Sequence, residues 1–340
     1  MLDWRFIMSG SNASPSEFGT DFQVGAAIFL ALENFKELSK LRMEGKTEDI
    51  ELTLKSGKRI YAQSKSVVKA RTDFSNVRRN LKNALTTLSN ADSQDVIKLV
   101  FITNSNNPLN ENETKGIFYG PPSEVRYNDL PDSGKKVISD ILIRYKIKID
   151  LNKLVIKYFM FQTDIDAERY KVISQKISEF INSLNINISS EDLMNIWKIQ
   201  VFQNGSKIDT EITIDKKEMV WPLIVLVFNK IDSYELLDEY NVGLIDEIIR
   251  RYDDTINNRI ERYDVVTKVI YDFKSCKTAG LSINQLSRKF IENTWFDYIS
   301  LFSLESIQEE EVKEGVCKLI LSKILQQRYT IDKIKQGVAL

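Results

Sequence analysis

The chain has 340 residues, of which 43% are hydrophobic and 28% charged, and a net charge of −1, a globular composition whose length suits two domains. It contains no histidine, which excludes Ser-His-Asp hydrolysis, Cys-His proteolysis and histidine-ligated zinc. A catalyst built from this sequence must use carboxylates, amides, lysine or hydroxyls, and a bound metal would be hard, Mg²⁺ or Mn²⁺ rather than zinc.

The first third of the chain predicts a helix, three short strands, a second helix and a fourth strand. Helical spacing of apolar residues marks both helices, and period-two alternation or short apolar runs mark the strands. The predicted elements are a helix from Ser16 to about Leu38, strands at 41–44, Ile50–Leu54 and Ile60–Val68, a basic amphipathic helix at Asn76–Leu88, and a strand at Val96–Thr103.

The rest of the chain becomes increasingly helical. Residues 104–135 are rich in proline and predict loops, and from Ser233 onward the helical pattern is almost continuous. We therefore predict an α/β domain over residues 1–230 and an all-helical domain over 231–340. The predicted elements are a strand at Leu154–Gln162, helices at Ile165–Leu184, Ser190–Gln203 and Lys216–Lys230, and helical stretches at Leu236–Phe273, Ile283–Phe302 and Ile307–Leu325.

An acidic stretch is followed at once by a basic one. Residues 33–51 contain six acidic side chains, whereas Thr53–Leu85 contains nine basic side chains and one acidic one. Metal-assisted hydrolysis of a phosphodiester requires both kinds of charge side by side. Two solvated faces of opposite charge are the alternative interpretation.

Three residues in this region carry the predicted chemistry. Gln63 and Lys65 lie two apart on one strand and so share a face, and a hairpin brings Asp49 beside that face. The carboxylate and the amide oxygen suit a magnesium ion, and the lysine can orient or deprotonate a water. Glu17, at the start of the first helix, can add a second carboxylate. Other candidates for that carboxylate are Glu44 and Glu51.

The order of elements, with an aspartate and a QxK motif across a hairpin, resembles the PD-(D/E)xK nuclease superfamily. The sequences Glu48-Asp49-Ile50-Glu51 and Gln63-Ser64-Lys65-Ser66 are most similar to one branch of it. That branch is the double-strand DNA endonuclease domain of bacterial CBASS anti-phage systems, which also occurs in Lamassu systems beside an SMC-like ATPase. The resemblance covers about two-thirds of the chain and implies a restriction-endonuclease-like αβββαβ core.

The resemblance also implies a role for each residue of the motif. Asp49 would bind the metal, Gln63 would occupy the acidic position of (D/E)xK, and Lys65 would be the catalytic lysine. A glutamine at position 63 leaves one carboxylate fewer than the commonest pattern, which puts Glu17 as a third ligand in question. The structural alternatives are a turn-forming role for Asp49 and an edge-strand role for Lys65 that prevents aggregation.

Basic residues beside the motif are candidates for binding nucleic acid. Arg78, Arg79 and Lys82 lie on the helix after the QxK strand, and Lys69 lies between that strand and the helix. Such side chains contact backbone phosphates and position a duplex without reading its sequence. A solvated helix face is the alternative.

These observations predict a cytoplasmic, magnesium-dependent endonuclease acting on double-stranded DNA in bacterial defence. No apolar run spans a bilayer, and no GxxxxGK[ST] motif occurs, so an ATPase would be on another chain. We expect the helical domain to dock a sensor subunit, such as an SMC-like ATPase, or to form a homo-oligomer; packing on its own nuclease domain is the alternative. A non-catalytic DNA-binding or scaffold subunit with a decayed nuclease fold is the competing function.

Overall fold

The computed structural model describes residues 14–46, 48–162, 166–228, 242–276 and 280–340. The chain divides into two compact units: residues up to Phe180 together with Ser190–Met219, and Ile181–Ser189 together with Val220–Leu340. The boundary indicated by the sequence, near 230, lies within 229–241 and so outside the described residues.

The elements of the chain follow the predicted order of a helix, three strands, a helix and a strand, and become mainly helical towards the end. The strands are β1 (Leu38–Met43), β2 (Ile50–Leu54), β3 (Arg59–Lys65), β4 (Val96–Thr103), β5 (Ser123–Arg126), β6 (Leu154–Tyr158) and β7 (Ile214–Asp215). The helices are α1 (Ser14–Glu33), α2 (Val77–Ala91), α3 (Asp132–Tyr145), α4 (Asp166–Arg169), α5 (Lys171–Ser183), α6 (Ser190–Gly205), α7 (Lys216–Phe228), α8 (Val242–Ile260), α9 (Tyr263–Ser275), α10 (Ile283–Thr294) and α11 (Glu310–Gly337).

Several elements differ from the sequence-based prediction: β3 ends at Lys65 rather than Val68, β6 at Tyr158 rather than Gln162, and α10 at Thr294 rather than Phe302. The first helix ends at Glu33 rather than near Leu38, because the chain turns there; the Asn34 side chain donates to the Leu30 carbonyl at 2.8 Å, and β1 begins at Leu38. The stretch 104–135, whose prolines predict loops, contains β5 and the first residues of α3. The predicted bounds of β2 and β4 are confirmed.

The described strands form one mixed seven-stranded sheet in the order β5-β6-β4-β3-β2-β1-β7. Strands β3, β4 and β6 are parallel. Their carboxyl ends lie at the same end of the sheet, where Lys65, Thr103 and Tyr158 are in register. The alternative role of Lys65, a charge on an edge strand that prevents aggregation, is wrong, because β3 is an internal strand between β2 and β4.

Helices cover both faces of the sheet in the first unit. Alternation along β3 places Tyr61, Gln63 and Lys65 on one face, and Tyr61 belongs to a buried cluster that includes residues of α2 and α3. The opposite face carries Lys157 of β6, whose Nζ lies 2.6 Å from the Glu33 carboxylate of α1. The QxK residues therefore share a face with the basic helix α2.

We expect Leu85→Ala to lower the free energy of unfolding of the first unit by about 2–5 kcal/mol, since it opens a cavity under α2. Leu85 is fully buried in the cluster between α2, α3 and the sheet. Urea denaturation followed by tryptophan fluorescence measures the change. The control Ile143→Ala, at a position that is 78% exposed, should leave the denaturation midpoint nearly unchanged; equal effects of both changes would contradict the assigned core.

The second unit is helical, and α11 forms much of its core. Helix α11 is buried on all sides from Gly315 to Leu325 and packs against α8, α9 and α10. Lys318, a buried charge on this helix, forms ion pairs with Glu292 and Glu314, which offset the cost of its desolvation. None of the helices in the described residues has the combination of length and apolar character that a bilayer crossing demands.

Candidate active site

Asp49 and Lys65 meet at the edge where β3 ends. Asp49 directly precedes β2, and its Oδ2 lies 3.6 Å from the Lys65 Nζ. The same oxygen accepts hydrogen bonds from the Ser64 backbone N–H at 2.8 Å and from the Ser64 Oγ at 3.0 Å. The side chains of Asp49 and Lys65 are 19% and 30% exposed, so the pair is held in place while water and a substrate can still reach it.

Gln63 lies on β3 just beyond the residues that pair with β2. The register pairs Ile50 with Ala62 and Glu51 with Tyr61, so Asp49 and Gln63 are the next residues along the two segments. Gln63 is buried, and its Oε1 has no hydrogen-bond partner among the described residues. A buried carbonyl oxygen without a donor costs about 1–3 kcal/mol, so the site offers an acceptor to a ligand.

Glu48 is a residue of this site to which the sequence pattern gave no role. It is only 3% exposed, and neither carboxyl oxygen has a hydrogen-bond partner in the described part of the chain. Burial and the negative charge of Asp49 raise the pKa of Glu48 to about 8, while the charge of Lys65 acts in the opposite direction. The acidic run at 48–51 was visible in the sequence, but a turn residue is expected to be solvated.

The other acidic candidates have different surroundings. Glu17 is exposed on the first turn of α1. Glu44 accepts a hydrogen bond from the Gln23 Nε2 at 2.6 Å. Burial raises the pKa of Glu51, which faces Arg59 at 3.6 Å. Over the described ranges, no three acidic or cysteine side chains form a ready-made metal centre.

The oxygen atoms at this edge nevertheless suit a divalent cation. Asp49 supplies a carboxylate, and Gln63 and Glu48 supply buried oxygen atoms that accept no hydrogen bond from the described residues. A set made only of carboxylate and amide oxygens favours Mg²⁺ or Mn²⁺ and not zinc. The residues present therefore fit the hard metal that the sequence predicted, with amide and water ligands in place of a third carboxylate.

The segment that directly follows β4 is rich in asparagine and fixes the edge of the sheet beside Lys65. Its first residue, Asn104, accepts from the Val67 N–H at 2.7 Å and donates to the carbonyls of Val67 and Phe161, both at 2.9 Å. It is 1% exposed. Asn104 is hydrogen-bonded to the segments that follow β3 and β6, and so restrains the backbone two residues after Lys65.

Basic side chains line a cleft between α2 and α3. The cleft has a volume of about 720 Å³ and is lined by Arg78, Arg79 and Lys82 of α2 and by Arg144 and Tyr145 of α3, among others. Lys82 lies over the Tyr145 ring, 5.2 Å from its centroid. Arg144 was missed because helix α3 was not predicted.

The predicted basic residues differ in how many contacts they make within the protein. Arg78 donates to the Asn110 carbonyl at 3.0 Å and lies 4.0 Å from the Glu111 carboxylate. Arg79 and Lys69 are exposed. Arg79 and Lys82, with Arg144, are therefore better placed than Arg78 to contact a phosphate.

The cleft between α2 and α3 lies at the same end of the sheet as the Asp49–Lys65 pair. Helix α2 connects the end of β3 to the start of the parallel strand β4, so its first turn lies at the edge of the sheet where Lys65 lies. Helix α2 also packs on the face that carries Gln63. The basic surface and the Asp49–Lys65 pair therefore lie at the same end of the sheet.

In a nuclease that works through Asp49, as the sequence predicts, Ser64→Ala should slow phosphodiester cleavage about tenfold, because it removes one hydrogen bond that orients Asp49, worth about 1.5 kcal/mol. The backbone hydrogen bond from residue 64 remains, so the loss is partial. Ser56→Ala, in the turn at the opposite end of β3, is the matched control. Equal rates for the two variants in a plasmid-nicking assay would show that the Ser64 hydroxyl does not position Asp49.

Comparison of the chain with protein-family models, with curated proteins and with solved structures finds no match.

Proposed function

We propose that this chain is a metal-dependent endonuclease that hydrolyses phosphodiester bonds in double-stranded DNA. The observation that carries the proposal is the contact of Asp49 with Lys65, together with the buried amide oxygen of Gln63, two residues before Lys65 on β3, which has no partner among the described residues. The αβββαβ order of elements supports a restriction-endonuclease-like core, in which this arrangement is expected at the end of two neighbouring strands.

Each side chain of the site has a distinct task in this reaction. Asp49 and Gln63 would hold a Mg²⁺ or Mn²⁺ ion, which when bound acts as a Lewis acid on the phosphate and lowers the pKa of a bound water. Lys65 can orient the attacking water and offset the negative charge that develops on the phosphate. Ser64 keeps the Asp49 carboxylate beside the Lys65 ammonium.

Duplex DNA is the substrate that the basic surface favours. Arg79, Lys82 and Arg144 line an open cleft at the end of the sheet where Lys65 lies, and their charges suit a phosphate backbone. Contacts of this kind position a duplex without reading base edges, so the proposed enzyme has weak sequence preference.

A nuclease with weak sequence preference has to be controlled in its host. By its resemblance to the CBASS-associated endonuclease branch, and to its Lamassu version in particular, we propose a cytoplasmic effector of bacterial anti-phage defence. Control would come from an SMC-like ATPase or another sensor subunit, or from homo-oligomerisation, through the helical second unit. Light scattering on the full chain, alone and with DNA, tests the oligomer: a monomer under both conditions would contradict it.

A second candidate function is a DNA-binding or scaffold subunit that has lost catalysis. The observations that favour it are the glutamine at position 63 and the lack of three converging carboxylates within the described residues. Such a subunit would bind duplex DNA through the cleft between α2 and α3 without cleaving it.

Cleavage of supercoiled plasmid separates the two functions. The full chain is incubated with Mg²⁺, with Mn²⁺ and with EDTA, both free and fused to a dimerising partner that forces active sites together. We expect nicked and linear products with either metal and none with EDTA. Binding to the plasmid without cleavage under all of these conditions would favour the scaffold function.

A further inference from the structure

We propose that Glu48 is a second carboxylate ligand of the divalent cation at Asp49, in the position that the sequence analysis gave to Glu17. The inference rests on the proposed function, because it assigns a further ligand to the same metal site.

Glu48 is buried, and the described residues donate no hydrogen bond to its carboxylate. It is 3% exposed, and both Oε1 and Oε2 lack a partner within the described residues. An ionised carboxylate in this position therefore carries a desolvation cost. A cation bound beside the carboxylate would offset that cost.

Comparable carboxylates elsewhere in the first unit do have partners. Glu124 accepts hydrogen bonds from Lys98 at 2.6 Å and from Lys157 at 2.7 Å. Asp92 accepts from Lys153 and from the backbone N–H of Asp150, both at 2.7 Å. The fold thus supplies donors to these two partly buried carboxylates but not to Glu48, which is more deeply buried.

The surroundings of Glu48 favour a cation as the missing partner. Gln63 Oε1 on β3 is another buried oxygen acceptor without a donor among the described residues, and Asp49, the next residue along the chain, adds a negative charge. Lys65, the nearby cation, is 3.6 Å from Asp49. An anion would be repelled by this set of atoms, whereas Mg²⁺ or Mn²⁺ takes oxygen ligands of both kinds.

Two backbone hydrogen bonds hold Glu48 and Asp49 to the end of β1. The Gly45 N–H donates to the Glu48 carbonyl at 2.9 Å, and the Glu44 N–H donates to the Asp49 carbonyl at 2.8 Å. These bonds close the turn between β1 and β2, so both carboxylates extend from a restrained backbone and lose little conformational entropy when an ion binds.

Mn²⁺ binding to the full chain tests the inference without relying on activity. Isothermal titration calorimetry, or loss of the free Mn²⁺ EPR signal, gives the Kd of the wild type, Glu48→Gln, Asp49→Asn and the control Glu51→Gln. Glutamine keeps the size of the side chain, and Glu51 is a partly buried acid three residues away. We expect at least a tenfold weaker Kd for Glu48→Gln, a larger loss for Asp49→Asn, and a value within twofold of wild type for Glu51→Gln.

The outcomes separate failure of the inference from failure of the proposed function. Wild-type affinity in Glu48→Gln together with loss in Asp49→Asn would overturn the role of Glu48 and leave the metal site standing. No Mn²⁺ binding by the wild type, with no plasmid cleavage, would overturn both.

A second measurement needs no variant. Fe²⁺ with ascorbate and peroxide should cut the wild-type backbone next to bound metal, at Glu48–Asp49 and near Gln63, and excess Mg²⁺ should suppress both cuts. Cutting near Gln63 without cutting at Glu48–Asp49 would place the ion away from Glu48 and overturn the inference.

Discussion

Replacing Lys65 by methionine should slow plasmid cleavage by about 10²–10⁴-fold, the range for loss of a positioned acid–base group. Methionine keeps the unbranched stem of the lysine and removes only the ammonium that lies 3.6 Å from Asp49. The variant should bind DNA with nearly wild-type affinity, because most phosphate contacts are expected in the cleft between α2 and α3. Single-turnover cleavage at saturating enzyme separates the chemical step from binding.

The control for this variant is Lys115→Met, which removes an equal charge from an exposed loop of the same unit. Its cleavage rate should stay within twofold of the wild type. If Lys65→Met also cleaves at the wild-type rate, Lys65 does not take part in the reaction, and the proposed active site is wrong. If both variants fall equally, the assay reports net charge rather than the site.

Strong local periodicity made part of the fold predictable. Strands β2 and β4 have the predicted bounds, and the predicted amphipathic helix α2 buries Val77, Leu81, Ala84, Leu85 and Leu88 on one face. Strand β4 contains the apolar run Leu99–Ile102 and lies between two neighbours in the sheet, and α2 has one continuous apolar stripe. Where a pattern of this kind covers a whole element, burial and periodicity specify the same structure.

Elements that depend on tertiary contacts were missed. Helix α3 follows Pro131 and buries Val137, Ile138 and Ile141, a helical spacing that the prolines before it obscured. Strand β5 is four residues long, with alternating half-buried and exposed side chains, and it is defined by its pairing with β6. Short strands with weak alternation are specified by their partner, not by their own residues.

Part of the candidate site could likewise be predicted from the sequence and part could not. Spacing alone brought Gln63 and Lys65 to one face and Asp49 close to Lys65, because a hairpin with a short turn fixes its own register. The burial of Glu48 follows from packing around the turn between β1 and β2, and Arg144 lies near α2 because α3 returns alongside it. Neither relation is encoded within one element, so neither was predicted.

Reversing three charges of the cleft should weaken binding of duplex DNA by about 100-fold at physiological salt, because phosphate attraction becomes repulsion. The variant Arg79→Glu/Lys82→Glu/Arg144→Glu spares Arg78, which holds the Asn110 carbonyl. Fluorescence anisotropy with a labelled duplex measures Kd. The slope of log Kd against log salt should fall by about 0.9 for each phosphate contact removed, and hence by about 2–3 in total.

The control has to change the net charge by the same amount without touching the cleft. Lys207→Glu/Lys289→Glu/Lys333→Glu does so at exposed positions, and should weaken binding only slightly through long-range repulsion, which salt screens. Equal weakening in the two triple variants would show that DNA senses the total charge and not this surface. Loss confined to the cleft variant, with its turnover of saturating DNA retained, would instead separate the residues that hold the duplex from Asp49 and Lys65, which act on it.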